Sequence, residues 1–218
     1  MLQASTLRFL EQLGKNNNKA WFDKHRDDYQ TAKEDFEVFI DELMVKLRPL
    51  EPGLANLTAK DCTFRIFRDV RFSKDKTPYK AHFGAFMSKG GRKYEGAGYY
   101  LHLEPGKSFA GGGLWVPPGP MLKAVRQEID YNFDEFKKIL AAKDFKKYFK
   151  KIEGESLKTL PQGYTADNPA IDYLKMKSYT VGTSVADKDV TAKGFASKCA
   201  GIFTAMRPLV DFLDRSSD

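Results

Sequence analysis

Cysteine is scarce in this chain. Cys62 and Cys199 stand far apart and neither belongs to a Cys-x-x-Cys pair, which excludes a disulfide framework and reads as reduced, buried thiols in a cytoplasmic protein. Histidine is nearly as scarce. His25, His82 and His102 show no metal-ligand spacing, so no metal site is expected, although distant residues can converge in space. No apolar run approaches the roughly 18 residues of a membrane span, and the first residues lack a basic stretch followed by an apolar core, so neither membrane nor secretion is expected. Gly111-Gly112-Gly113 lacks the Gly-Lys-Ser/Thr of a phosphate loop, and Gly-x-Ser-x-Gly and His-Glu-x-x-His are missing. Internal repeats, low-complexity tracts and linkers are absent too. No cofactor can be named from these residues, nor an oligomeric state.

What is present is an ordinary globular composition with unevenly placed charge. Hydrophobic residues make up 42% and charged residues 30%, enough for a sizeable core in one domain over residues 1–218. The formal charge is +7, and the segment Cys62 to Lys93 alone carries nine cations against Asp69 and Asp75. Such local excess points to an anionic partner. A second basic run, Lys143 to Lys151, alternates lysines with Phe145, Tyr148 and Phe149, and is read as a solvated amphipathic helix.

The order of patterns predicts an α+β fold. Residues 1–50 are helical. Leu7, Leu10 and Leu13 run to Gly14, and Asn16-Asn17-Asn18 form a loop and cap. A pattern from Lys19 to Leu47, one bent helix or two, ends at Pro49. Residues 60–117 are strand-rich, with strands expected at Cys62–Phe72, Ala81–Ser88, Ala97–Glu104 and Ser108–Val116, and hairpin turns at Lys89–Arg92 and Pro105–Lys107. Residues 120–151 are helical again. A strand near residues 178–184 precedes a C-terminal helix, interrupted near Pro208, within residues 170–214. The strands form a central, mostly antiparallel sheet packed with the N-terminal, middle and C-terminal helices.

The densest chemistry lies in residues 65–79. On a strand of period two, Arg65, Asp69 and Arg71 share the polar face while Arg68 intrudes on the apolar one, so Arg68 is buried and paired or a bulge at Arg68–Asp69 shifts the register. The same alternation puts His82, Tyr100, His102 and Glu104 on the face opposite Phe83, Ala85, Tyr99 and Leu101. If these strands are adjacent, Arg65, Asp69, Arg71, His82, Tyr100, His102 and Glu104 line one sheet face. In that reading Arg65, Arg68, Arg71 and Lys76 bind a phosphate or carboxylate, Asp69 or His102 serves as acid–base group, and Tyr79 or Tyr100 orients the ligand.

The pattern Arg65-x-x-Arg68-Asp69-x-Arg71-Phe72 with Asp75-Lys76 and Tyr79 is similar to the motif of the bacterial family called domain of unknown function 2461. The likeness extends to Asn17, Asn18, Trp21, Phe22 and His25 and to Gly111-Gly112-Gly113-x-Trp115. It implies membership and brings no reaction, ligand or catalytic residue with it. Three functions are compatible with these residues. The first is a pocket for a small anionic ligand, enzymatic or not. The second is a nucleic-acid-binding module that stacks bases on Phe67, Phe86 or Tyr100. The third is a scaffold in which Arg-Asp-x-Arg is an ion-pair lattice.

Overall fold

The computed structural model describes residues 1–215. In chain order the elements are α1 (Ala4–Lys15), α2 (Lys19–Lys24), α3 (Arg26–Leu47), α4 (Ala59–Cys62), β1 (Phe83–Met87), β2 (Gly98–Leu103), β3 (Phe109–Leu114), α5 (Gly119–Tyr131), α6 (Phe133–Ala141), α7 (Lys143–Tyr148), α8 (Ile171–Leu174), β4 (Tyr179–Ser184), α9 (Asp187–Val190) and α10 (Phe195–Asp214). The four strands pair antiparallel in the order β1-β2-β3-β4. This is the α+β arrangement that the sequence patterns predict. No helix among the described residues is long and apolar enough to cross a membrane.

Local sequence explains both ends of α2. Asn18 caps α2, its side-chain oxygen accepting the Trp21 N–H at 3.0 Å. The long pattern from Lys19 divides into two helices at His25, whose backbone leaves the helical region at φ −113° and ψ 28°. The His25 ring stays tied to the broken end, with Nδ1 2.8 Å from the Trp21 carbonyl and the two rings stacked at 4.0 Å. The basic run forms α7 with Phe145 and Phe149 buried.

Pro208 does not interrupt α10, contrary to the sequence expectation. An interior proline costs about 3 kcal/mol. Against that, Phe203, Met206, Leu209, Phe212 and Leu213 around it are fully buried, at roughly 1.5–3 kcal/mol each. Burial against β3 and α3 therefore outweighs the lost backbone bond.

Alternation divides the sheet into two unlike faces. Phe83, Ala85 and Met87 pair with Leu103, Leu101 and Tyr99, and all six are buried on the helical side. The opposite face carries Gly84, Phe86, Tyr100, His102, Phe109, Gly111, Gly113 and Gly182, whereas α10 packs against β3 on the first. The glycine run in β3 answers a close approach. A Cβ at Gly111 would stand 2.1 Å from the Val181 carbonyl, and one at Gly113, where φ is +110°, 2.1 Å from the Tyr179 carbonyl.

The segment Cys62–Phe72, expected as a strand, is not one. Cys62 ends α4, and the rest meets the sheet edge through isolated bridges from Thr63 to Ala85 and from Phe67 to Tyr79. Between those bridges, four steps of chain on one side oppose six on the other. The surplus lies in residues 80–84 rather than at Arg68–Asp69. With Arg65, Arg68 and Arg71 distributed over both faces, neither face of this segment can be buried as a regular strand requires. The far edge of the sheet is covered as well, by reciprocal backbone bonds between Glu153 and Thr180.

Candidate functional site

The charged residues of the 65–79 motif are turned mostly on one another. Arg68 is partly buried and paired, the first of the two arrangements expected for it. Its Nη1 donates to the Asp75 carboxylate and, at 2.8 Å, to the Thr77 hydroxyl. Asp75 in turn accepts the Thr77 N–H at 2.9 Å. Its carboxyl is held below the usual range, chiefly by the two Thr77 hydrogen bonds and then by Arg68. Asp69 takes a two-pronged contact from Arg71 at 3.0 and 2.6 Å, and that contact lowers its pKa. Lys76 donates to the Val70 carbonyl at 3.0 Å. The result is a loop from Arg68 to Thr77 stitched by its own side chains.

Tyr79 lies elsewhere again. It is buried, stacked on Phe22 at 4.0 Å, and its backbone exchanges hydrogen bonds of 3.1 and 2.9 Å with the Asn17 amide. Arg65 is exposed. Of the residues singled out in the sequence, Phe86, Tyr100 and His102 line one cleft, whereas Arg65, Phe67, Arg68, Asp69, Arg71, Lys76, Tyr79, His82 and Glu104 do not.

That cleft covers the open face of the sheet and has a volume of about 1100 Å³. Its floor is paved with aromatic rings that lie across glycines of neighbouring strands. A Cβ on Gly84 would fall 2.5 Å from the Tyr100 hydroxyl, and one on Gly98 2.6 Å from the Phe86 ring. Phe109 stacks on His102 at 4.9 Å, and Tyr100 packs against Phe109 at 5.6 Å. Trp115, 74% exposed, stands at one wall. It precedes Val116, whose φ of +42° is the left-handed backbone that a β-branched residue seldom adopts. Lys80, Arg92 and Lys107 bring positive charge to the rim, and Glu95 and Glu153 bring negative charge.

A hydrogen-bonded row links Tyr100, His102 and Lys107 of the cleft through Glu104 behind them. His102 Nε2 lies 3.0 Å from Glu104 Oε2, its Nδ1 lies 3.1 Å from the Tyr100 hydroxyl, and Lys107 donates to Glu104 Oε1 at 3.0 Å. A carboxylate only accepts, so Nε2 carries the proton and Nδ1 accepts from Tyr100. Burial pushes the Tyr100 hydroxyl up to about 12, which keeps it a donor at neutral pH. Burial also works to raise Glu104, but its bonds from His102 and Lys107 together bring it below the usual range. His82 packs its ring 4.3 Å from that of His102. Burial, then the neighbouring His102 and Lys80, lower His82 to about 4, so it is neutral at pH 7. One ligand atom from each of His82, His102 and Glu104 lies within 4.8 Å of the others.

Period-two alternation places His82, Tyr100, His102 and Glu104 on one face. It carries no sign that Lys80, Arg92, Lys107 and Trp115 would meet them, because loops bring these in. Phe109 could have been found by extending the same alternation to the third strand.

The family described as "Conserved hypothetical protein (DUF2461)" matches residues 5–212. No curated protein and no solved structure matches the chain.

Proposed function

The chain belongs to the DUF2461 family, and from the chemistry of its cleft we propose that it binds a small, flat, anionic organic ligand on the open face of the sheet. One observation carries this reading: a metabolite-sized cavity floored by Phe86, Tyr100 and Phe109 has Lys80, Arg92 and Lys107 at its rim. Rings recognise a planar group by stacking, and the cations recognise phosphate or carboxylate. His102, oriented between Tyr100 and Glu104, is the group for proton transfer if a reaction follows binding. The Arg68–Thr77 loop then acts as architecture at the sheet edge and not as the anion clamp. The two buried free cysteines favour a reducing, cytoplasmic setting.

A second reading is supported by the same rings. An antiparallel sheet with aromatic residues on an open face is a stacking platform for single-stranded nucleic acid. A thermal-shift screen separates the two, using nucleotides, sugar phosphates, polycarboxylates and short DNA and RNA at low and moderate salt. A small anion that stabilises wild type, and stabilises Lys80→Ala less, supports the pocket. A polynucleotide shift that vanishes with salt, with none from small anions, replaces it by the second reading.

A further inference from the structure

We propose that His82, His102 and Glu104 form a binding site for a divalent transition-metal ion at the edge of the cleft. Each contributes one donor: an imidazole nitrogen of His82, Nε2 of His102 and Oε2 of Glu104. One ligand atom of each residue already lies within 4.8 Å of the others, and His102 Nε2 stands 3.0 Å from Glu104 Oε2. Ligand atoms about 2.0–2.1 Å from a tetrahedral ion are separated by about 3.3 Å, so the His82 ring needs to close by an ångström or so. No hydrogen bond of its ring nitrogens opposes this among the described residues, and its ring already packs against that of His102.

Two imidazoles and one carboxylate select a transition metal over Mg²⁺ or Ca²⁺, which demand more oxygen ligands. Three protein ligands also leave at least one coordination position, the pattern of sites that act on a bound molecule. The surrounding groups complete the assembly. With the ion on Nε2, the His102 proton moves to Nδ1 and is donated to the Tyr100 oxygen now 3.1 Å away, the outer bond that fixes a metal-bound imidazole. Lys107 holds the other Glu104 oxygen at 3.0 Å, leaving Oε2 for the ion. Lys80, two residues before His82, and Lys107 both line the cleft, so ion and lysines together make an anion-attracting corner.

His102 and Glu104 are neighbours on one face at the end of one strand, and His82 joins them from the start of the adjacent one. Gly84 pairs with His102 across β1 and β2. Metal binding is measured without any organic ligand, so its outcome is independent of what the cleft binds.

The test is calorimetric titration of chelator-treated protein with Zn²⁺, and visible d–d absorption with Co²⁺. One ion per chain is expected, with the stronger Co²⁺ bands of a four- or five-coordinate site and a melting temperature that rises with Zn²⁺ concentration. Glu104→Gln and His82→Ala should each abolish the stoichiometric site, and Tyr100→Phe should weaken it roughly tenfold. His25→Ala, remote from the cluster, should leave it unchanged. Melting curves recorded without metal show that each variant is folded. Failure of wild type to bind one ion, or binding that survives in folded Glu104→Gln and His82→Ala, would overturn the site.

Discussion

Gly84→Ala is the smallest change that tests how the cleft floor is built. The Gly84 backbone lies outside the left-handed region, so alanine is conformationally allowed there, and by itself it would stabilise a strand by roughly 0.5–1 kcal/mol. Its methyl, however, would fall 2.5 Å from the Tyr100 hydroxyl and 3.2 Å from the ring carbons beside it. Overpacking of that kind costs about 1–3 kcal/mol. Swinging the tyrosine away also forfeits its hydrogen bond to His102, worth about 1 kcal/mol. The balance is a destabilisation of about 1–3 kcal/mol, or on the order of 3–9 °C for a chain of this size. Tyr100→Phe alone should cost about 1 kcal/mol. In the double variant the offending oxygen is gone and the remaining contacts of 3.2 Å can relax. Urea unfolding of the four proteins should therefore give a double variant no less stable than Gly84→Ala, with a coupling of about 1–2 kcal/mol. Additivity to within about 0.5 kcal/mol would show that Tyr100 does not lie across Gly84, and the floor described here would be wrong.

Asn17→Ala removes both bonds to the Tyr79 backbone and should lower unfolding stability by about 2 kcal/mol, measured in urea. Arg68→Ala should open the Arg68–Thr77 loop, raising amide exchange there and protease cleavage within it, while leaving ligand binding in the cleft intact; loss of binding with an unchanged loop would return the arginine to the site. The folded pKa of His82, about 4, lies below its unfolded value of about 6.5, so the unfolded chain takes up the proton first. Its contribution is constant above about pH 6.5 and stability is lost as pH falls from there toward 4. Melting temperatures of wild type and His82→Asn should thus converge, or cross in favour of the variant, on going from pH 7 to pH 4.5. Parallel curves would mean that His82 is not buried as a neutral ring.

The fold was legible where periodicity has one consistent burial partner. The alternations Phe83, Ala85, Met87 and Tyr99, Leu101, Leu103 marked the helix-facing side, and so assigned Tyr100, His102 and Glu104 to the other. Periodicity failed at Cys62–Phe72, where local residue types look strand-like. There the deciding facts are the surplus of two residues opposite, set by tertiary geometry, and the ion pairs of Arg68 with Asp75 and of Arg71 with Asp69, which close the segment into a loop. It failed also at Pro208, since a propensity of about 3 kcal/mol yields to a core contact invisible in the chain. The cleft was half legible for the same reason. Strand residues announce their face, but Lys80, Lys107 and Trp115 reach it from chain outside the strands.

Trp115 reports on the cleft directly, since it stands on the wall and the chain has only two tryptophans. In Trp21→Phe protein its emission should change saturably on titration with the anion that gives the largest thermal shift, with a midpoint matching that shift. A stabilising anion that leaves Trp115 emission unchanged would place the binding site elsewhere and contradict the account.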